Sequence, residues 1–395
     1  MKIWIDVTGL YYWSGNLTGI QRVMYNLSRE LENTDIDSGL FIYNNGIYKA
    51  LTFSDLNNQI QEKNKKPKSP VQNYQASYLN ARNIIYYILV KAKKVGRGSF
   101  MEPQLRYTYE LFRRIYRCRI QNTHHPKKSN IFNKGDIVLI IDGNWQYKGF
   151  ENSIIAEKHK HSFFLYHMVH DLNAWKNPAL CAVGASETIG DYFKKIFKYA
   201  DGLIAISEST KHDIEFFLKD NNISNKPKLF SITLGMDMGF GSGQKPLTPA
   251  LLPKDFILSV STIEIRKNYL LFYYIYNLAF QKKIKLPHLI IVGRRGWMAE
   301  EAYNLLTKDP KINENVTICD NIKDNELIWL YKNCMYSVFP SFYEGWGLPV
   351  AESLAYSKCC ISSNTSFALK SRLDHKVRHI LQNLYQLPSL MMCYC

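Results

Sequence analysis

The sequence lacks any apolar run long enough to cross a bilayer. About 18 consecutive apolar residues are needed, and the longest candidate, residues 84–90, falls far short. Residues 1–7 are interrupted by Asp6 and are too short for a signal peptide, so they read as a first β-strand. Paired cysteines are missing too. Cysteines stand at 118, 181, 319, 334, 359, 360, 393 and 395 without a CxxC among them, which argues against a metal site and predicts free thiols in a cytosolic setting. There is no G-x-S-x-G elbow. Ser207 and Ser209 fall at a helix cap, so no hydrolase triad is indicated. Gly9, Gly15 and Gly19 follow the first strand but not with G-x-G-x-x-G spacing. They read either as turn glycines or as places where a backbone can approach a phosphate. No repeat of solenoid length is present. Acidic residues are scarce, 34 against 50 Lys and Arg, leaving a net charge of +16. That imbalance implies an anionic partner: nucleic acid, acidic lipid or a phosphorylated substrate. No nucleic-acid module accompanies the charge, which puts nucleic acid last.

What is present is a chain of 395 residues, 46% apolar, enough for two domains. Short apolar strands alternate with helical periodicity: strands at 2–7, 136–141, 162–169, 202–206 and 228–233, then at 256–260, 289–292, 315–319, 335–339 and 359–362. Thr18-Gly19-Ile20-Gln21 has a capping-box pattern, and Ile20, Val23, Leu27 and Leu31 then recur at helical spacing. Thr210 to Asp213 is expected to cap a further helix. Continuous apolar strands between helices imply α/β architecture with parallel sheets covered on both faces, whose ligands sit at the carboxyl ends of strands. The expected division is an N-terminal Rossmann-like domain over 1–238, a linker over 239–254 marked by Gly and Pro, a second Rossmann-like domain over 255–366, and an atypical tail over 367–395. Residues 51–130 stand apart, with sixteen Lys and Arg against four Asp and Glu. They read as a basic insertion: a solvated loop, a surface for an anionic membrane, or a nucleic-acid binder.

The motifs fall at strand ends. The most informative runs from Phe339 through Pro340-Ser341-Phe342-Tyr343-Glu344-Gly345-Trp346-Gly347-Leu348-Pro349-Val350-Ala351-Glu352. It follows a strand, holds two glycines in a loop, and places Pro349 at a helix start. Glu344 is then a loop carboxylate and Glu352 one in the first helical turn. Helix-start N–H groups can meet a phosphate, and two acceptor carboxylates can take hydroxyls of a sugar and of a ribose. A glycosidase acid–nucleophile pair is the alternative. It is disfavoured because a helix-start glutamate stays ionised. Arg266 and Lys267 follow the 256–260 strand. They read as a solvated pair or as cations that stabilise a departing diphosphate. His170 and Asp171 close another strand, where the histidine could bond a sugar hydroxyl and Asp171 could orient it or meet an acceptor. A satisfied structural pair is the other reading.

These segments resemble retaining glycosyltransferases of family 4, which have the GT-B fold. The resemblance rests on Ile257-Leu258-Ser259-Val260-Ser261-Thr262-Ile263-Glu264-Ile265-Arg266-Lys267-Asn268, on Leu289-Ile290-Ile291-Val292-Gly293-Arg294-Arg295-Gly296-Trp297, and on the Glu344-x7-Glu352 block. Leu17 to Val23, Val169 to Leu172 and Ile204 to Thr210 add to it. It implies two Rossmann-like domains with parallel sheets facing a cleft. Arg266 and Lys267 would hold the donor diphosphate, Glu344 the donor sugar and Glu352 the ribose. Gly347 and Leu348 would offer N–H groups, Gly19 would approach the phosphates, and His170, with Asp171, would lie against the donor sugar. It further implies no metal and no cofactor beyond the nucleotide-diphospho-sugar, transfer of mannose or a related hexose with retention, and a lipid-linked or oligosaccharide acceptor. Bacterial surface polysaccharide synthesis at the cytoplasmic face of an anionic membrane follows, with no nucleic acid. The family pattern is expected to end after residue 366, as in a truncated or frameshifted C-terminal domain. An inactive remnant that binds only nucleotide or membrane, a basic nucleic-acid-binding protein and a GT-B epimerase are the competing readings.

Overall fold

The computed structural model describes residues 1–14, 17, 19–65, 131–235, 252–320, 322–364 and 391–394. Within them the chain builds two sheets. The first contains β1 (Ile3–Asp6), β2 (Ser38–Asn44), β3 (Ile47–Leu51), β4 (Ile137–Ile140), β5 (Phe164–Val169), β6 (Gly202–Ala205) and β7 (Lys228–Ser231) in the order β3-β2-β1-β4-β5-β6-β7. All its pairings are parallel except that of β2 with β3. The second contains β8 (Phe256–Val260), β9 (His288–Val292), β10 (Val316–Cys319), β11 (Ser337–Phe339), β12 (Cys360–Ser363) and β13 (Met391–Tyr394) in the order β10-β9-β8-β11-β12-β13. Here only β12 with β13 is antiparallel. This is the α/β pattern expected from the apolar runs. Strands such as β8, whose Phe256, Ile257 and Leu258 are all buried, are covered on both faces by helices, as parallel sheets require.

Several elements were not anticipated. β2 and β3 form a hairpin through Asn45 and Gly46, both at positive φ, 48° and 88°. An Asn-Gly pair between apolar runs favours such a turn. The helix Thr8–Tyr12 follows β1 almost directly. The helix Glu208–Asp220 is capped by Ser207, one of the two serines expected at a cap, and not by the Thr210 to Asp213 segment. Ser207 Oγ accepts the Thr210 N–H at 3.0 Å, so Thr210 is the third helical residue and not the cap.

Asp136 ties β1 to β4. Its carboxylate accepts the Lys2 and Asn133 N–H groups at 2.9 Å and Trp4 Nε1–H at 3.2 Å. Cys181, Cys319, Cys334 and Cys360 are free thiols. Cys359 corrects that expectation, being disulfide-bonded. Of the basic segment, Phe53–Lys65 is a helix, and residues 66–130 lie outside the described ones, as do the capping Thr18, most of the linker and residues 365–390. No helix among the described residues is long and apolar enough to cross a membrane.

Candidate active site

The end of β8 is held against the end of β9 by backbone contact. Ile263 N–H donates to the Arg294 carbonyl at 2.9 Å, and Gly296 N–H to the Ile263 carbonyl at 2.8 Å. A Cβ on Gly293 would lie 1.8 Å from the Ser261 carbonyl oxygen, so this approach demands glycine. The chain then makes a short 3-10 turn, Ile265–Lys267, closed by Asn268 in the left-handed region at φ 57°. The turn presents two cations inward.

Arg266 is held on three sides. Its Nε and Nη2 donate to Glu264 Oε1 at 3.2 and 2.9 Å, and its Nη1 donates to the Tyr343 carbonyl at 2.8 Å. Nη1 also lies 2.9 Å from Glu344 Oε1. Lys267, buried, donates to the same Glu344 oxygen and sits 5.0 Å over the Phe339 ring. The structure therefore brings Arg266, Lys267 and Glu344 into one cluster at the carboxyl ends of β8 and β11. Glu264 supplies a second buried carboxylate. Burial alone pushes the Glu344 carboxyl up, but the Arg266 and Lys267 charges, with hydrogen bonds from Lys267 and Ser341, outweigh it. The result is a carboxylate held below its ordinary range. Burial would likewise strip the Arg266 proton, yet Glu344, Asp171 and Glu264 push its pKa up.

The loop over residues 340–347 is seated on the first sheet. A Cβ on Gly345 would come 1.8 Å from the His170 carbonyl oxygen. The Gly345 carbonyl accepts Ser207 Oγ–H at 2.6 Å. Tyr343 OH donates to the buried Asp213 at 2.5 Å, whose other oxygen pairs with Lys176 at 2.5 Å. Trp346 enters the cluster of Ile5, Val7, Leu10, Met24 and Ile206. The segment bearing Glu344 is thus fixed by the half of the chain that does not carry it.

Gly347 starts the helix Leu348–Ala355 at φ 87°, a conformation suited to glycine. Pro349 lies within its first two positions. Gly347 and Leu348 stand at a helix N-terminus, whose N–H groups lack intrahelical partners. Gly19 begins the helix Gly19–Glu32, and a Cβ there would lie 2.9 Å from Leu348 Cδ1, so these residues meet. Glu352 departs from expectation. It is the helix's fifth residue, in the second turn, beyond the strongest pull of the N-terminal N–H groups. Burial pushes its carboxyl up. The Arg22 charge and the Tyr331 hydroxyl oppose that without reversing it. Tyr331 OH donates to Glu352 Oε2 at 2.7 Å, and Arg22 Nη1 to Oε1 at 3.3 Å. Arg22 also pairs with Asp324 at 2.6 Å.

His170 Nε2–H donates to the Ile141 carbonyl at 2.8 Å, and burial lowers its pKa, favouring the neutral ring. Ile141, not Asp171, orients this histidine. Asp171 instead accepts the Asn173 N–H at 3.0 Å. Its charge nevertheless acts on Arg266. The contacts of Arg22, Tyr331, Ser207 and Asp213 in this cluster are not legible in the sequence, because their partners lie far along the chain. The one signal was Arg22, inside the Leu17 to Val23 motif.

Residues 248–381 match the family described as "Glycosyl transferases group 1". That match continues past residue 366, where the family pattern was expected to stop. The serotype-specific mannosyltransferase WbdA of Escherichia coli is 24% identical over 283 residues, covering 67% of this chain and 34% of that protein. The O-antigen chain mannosyltransferase B of Escherichia coli is 30% identical over 141 residues, covering 33% of this chain and 36% of that protein. The chain therefore spans about a third of the length of these relatives. Sucrose-phosphate synthase from Thermosynechococcus elongatus shares the fold, with a TM-score of 0.55 and 15% identity over 94% of this chain and 82% of that one. The fold is that of GT-B proteins. More particularly, residues 248–381 resemble the glycosyl transferases group 1 domain.

Proposed function

We propose that the chain is a retaining hexosyltransferase that moves mannose or a related sugar from a nucleotide-diphospho-sugar to a lipid-linked or oligosaccharide acceptor. Its setting would be the building of a bacterial surface polysaccharide at the cytoplasmic face of the membrane. The single observation that carries this reading is the cluster of Arg266 and Lys267 around Glu344 at the carboxyl ends of two adjacent parallel strands, where ligands of open α/β sheets bind. The mannosyltransferase relatives support the choice of sugar.

In this reading the donor diphosphate lies against Arg266 and Lys267. The bond from the anomeric carbon to the diphosphate oxygen breaks, and negative charge builds on the leaving group beside both cations, which favours the transition state over the ground state. The acceptor hydroxyl oxygen bonds to the anomeric carbon from the face the diphosphate leaves. Its proton passes to the departing diphosphate. Glu344, held ionised by its neighbours, accepts from donor-sugar hydroxyls and fixes the ring. Glu352 accepts from the ribose. The neutral His170 lies against the donor sugar, and Asp171 adds negative charge near Arg266. Gly347 and Leu348 offer N–H groups, and Gly19 leaves room for the phosphates. The step asks for no metal, since the charge it develops is met by the two side-chain cations.

A thermal-shift screen of UDP-, GDP- and dTDP-sugars tests the donor, because a ligand that binds only the folded state raises its apparent stability. One nucleotide series should raise the melting temperature of the wild type and fail to do so for Arg266→Ala. No shift with any of them would contradict the reading.

A further inference from the structure

The helix Leu270–Gln281 carries no charged residue in its 12 positions. Its inner face, Phe272, Tyr276 and Ala279, is buried in the second sheet's core. A helix apolar all round normally has apolar surroundings on every side, yet the outer face of this one is open. Tyr274 is 58% exposed, Leu278 50% and Phe280 54%, with Ile275 beside them. Tyr274 and Leu278, four residues apart, lie on one stripe. The chain beyond the helix reads Lys282-Lys283-Ile284-Lys285, all exposed, and Lys311 Nζ stands 6.0 Å over the Phe280 ring. Residues 270–285 contain no Asp or Glu. Asp309, on a neighbouring turn, is engaged by Tyr273 OH at 3.1 Å and the Lys311 N–H at 3.0 Å.

We infer that this helix face and its lysine run form a docking surface for an anionic lipid bilayer. A contiguous exposed apolar face marks an interaction site. Tyrosine, with an apolar body and a polar tip, suits the boundary between headgroups and acyl chains, and lysine stems can lie along apolar surface while their ammonium groups reach headgroup phosphates. The lysines also argue against a second copy of the chain as occupant, because two such faces would bring like charges together. The helix follows directly from the Arg266–Lys267 turn, so docking would fix the donor cations relative to the lipid surface. This deepens the functional reading and rests on it only for placing the acceptor at a membrane.

The test is flotation of the full chain with vesicles of phosphatidylglycerol and phosphatidylcholine in equal parts, and with phosphatidylcholine alone. The wild type should bind the former and far less of the latter. Neutralising the run as Lys282→Gln, Lys283→Gln and Lys285→Gln should weaken binding roughly fivefold per lysine. A second variant, Tyr274→Ser with Leu278→Ser, should weaken it independently, and its altered positions are exposed, so its melting temperature should hold. Wild-type binding by both variants overturns the inference, because charge elsewhere in the chain would then account for the membrane. A change in oligomeric state by light scattering, with vesicle binding unchanged, overturns it in favour of a second copy. Nucleoside diphosphate binding, measured with UDP and GDP on the same proteins, should be the same in wild type and variants. Its absence from the wild type would contradict the functional reading and leave the vesicle result standing.

Discussion

Arg22 Nη1 lies 3.3 Å from Glu352 Oε1, although 330 residues separate them in the chain. The guanidinium belongs to the first half of the fold and the carboxylate to the second. Burial favours the protonated form of Glu352, and Arg22 is the cation that opposes it. Asp324 and Tyr331 are the other polar groups facing the carboxyl. Arg22→Gln should therefore raise the apparent donor KM, by roughly tenfold if a charge-assisted hydrogen bond is lost. Without the cation the carboxyl protonates at higher pH, so the defect should deepen as pH falls and lessen as it rises. Arg22→Lys should recover part of the loss. The KM profile against pH for the three proteins checks this, and parallel profiles for wild type and Arg22→Gln would contradict it.

Asp136 gives a prediction about stability. Burial pushes its carboxyl up, but the Lys2, Asn133 and Trp4 donors outweigh that and hold it below the usual carboxylate range. A group depressed on folding contributes stability above its unfolded pKa and loses it as pH falls through the folded value. Asp136→Asn should cost about 1–3 kcal/mol at neutral pH, with the difference from wild type shrinking in acid. Urea unfolding at neutral and acid pH measures both numbers.

Gly345 tests the seating of the loop that bears Glu344. Ala at this position would press a methyl group into the His170 carbonyl and strain the bond from Ser207 to the Gly345 carbonyl. Overpacking of this kind costs about 1–3 kcal/mol. Gly345→Ala should lower the melting temperature and reduce transfer. Gly46→Ala, at a hairpin tip far from the loop, should leave transfer unchanged.

Much of this was legible in the sequence. The second sheet follows from apolar strands punctuated by helical periodicity, and the ends of β8 and β11 were marked by Arg266-Lys267 and by the Glu344 loop. Local pattern carries that kind of information. The hairpin of β2 and β3 was readable from Asn45-Gly46 but is easily passed over between two better-marked elements. Seating of the loop was not legible. Nothing near Trp346 says that it will enter a core built from residues 5–24 and 206, and nothing near Glu352 indicates Arg22, because such partners are set by how the two sheets meet. The burial that pushes the Glu352 carboxyl up was not legible for the same reason. The place of Glu352 in a helix is a local property, and its burial is not.

The central claim is that Arg266 and Lys267 serve the donor's diphosphate while Glu344 serves its sugar. Glu344→Gln separates these roles, because it removes the carboxylate that both cations now share. Titration of UDP and GDP should show affinity at least equal to wild type, since a competing anion has gone, and bound nucleotide should restore stability lost by the variant. Transfer from the sugar-nucleotide, measured on the same preparation, should fall by about a hundredfold or more. Wild-type transfer, or loss of nucleotide binding together with transfer, would contradict the account.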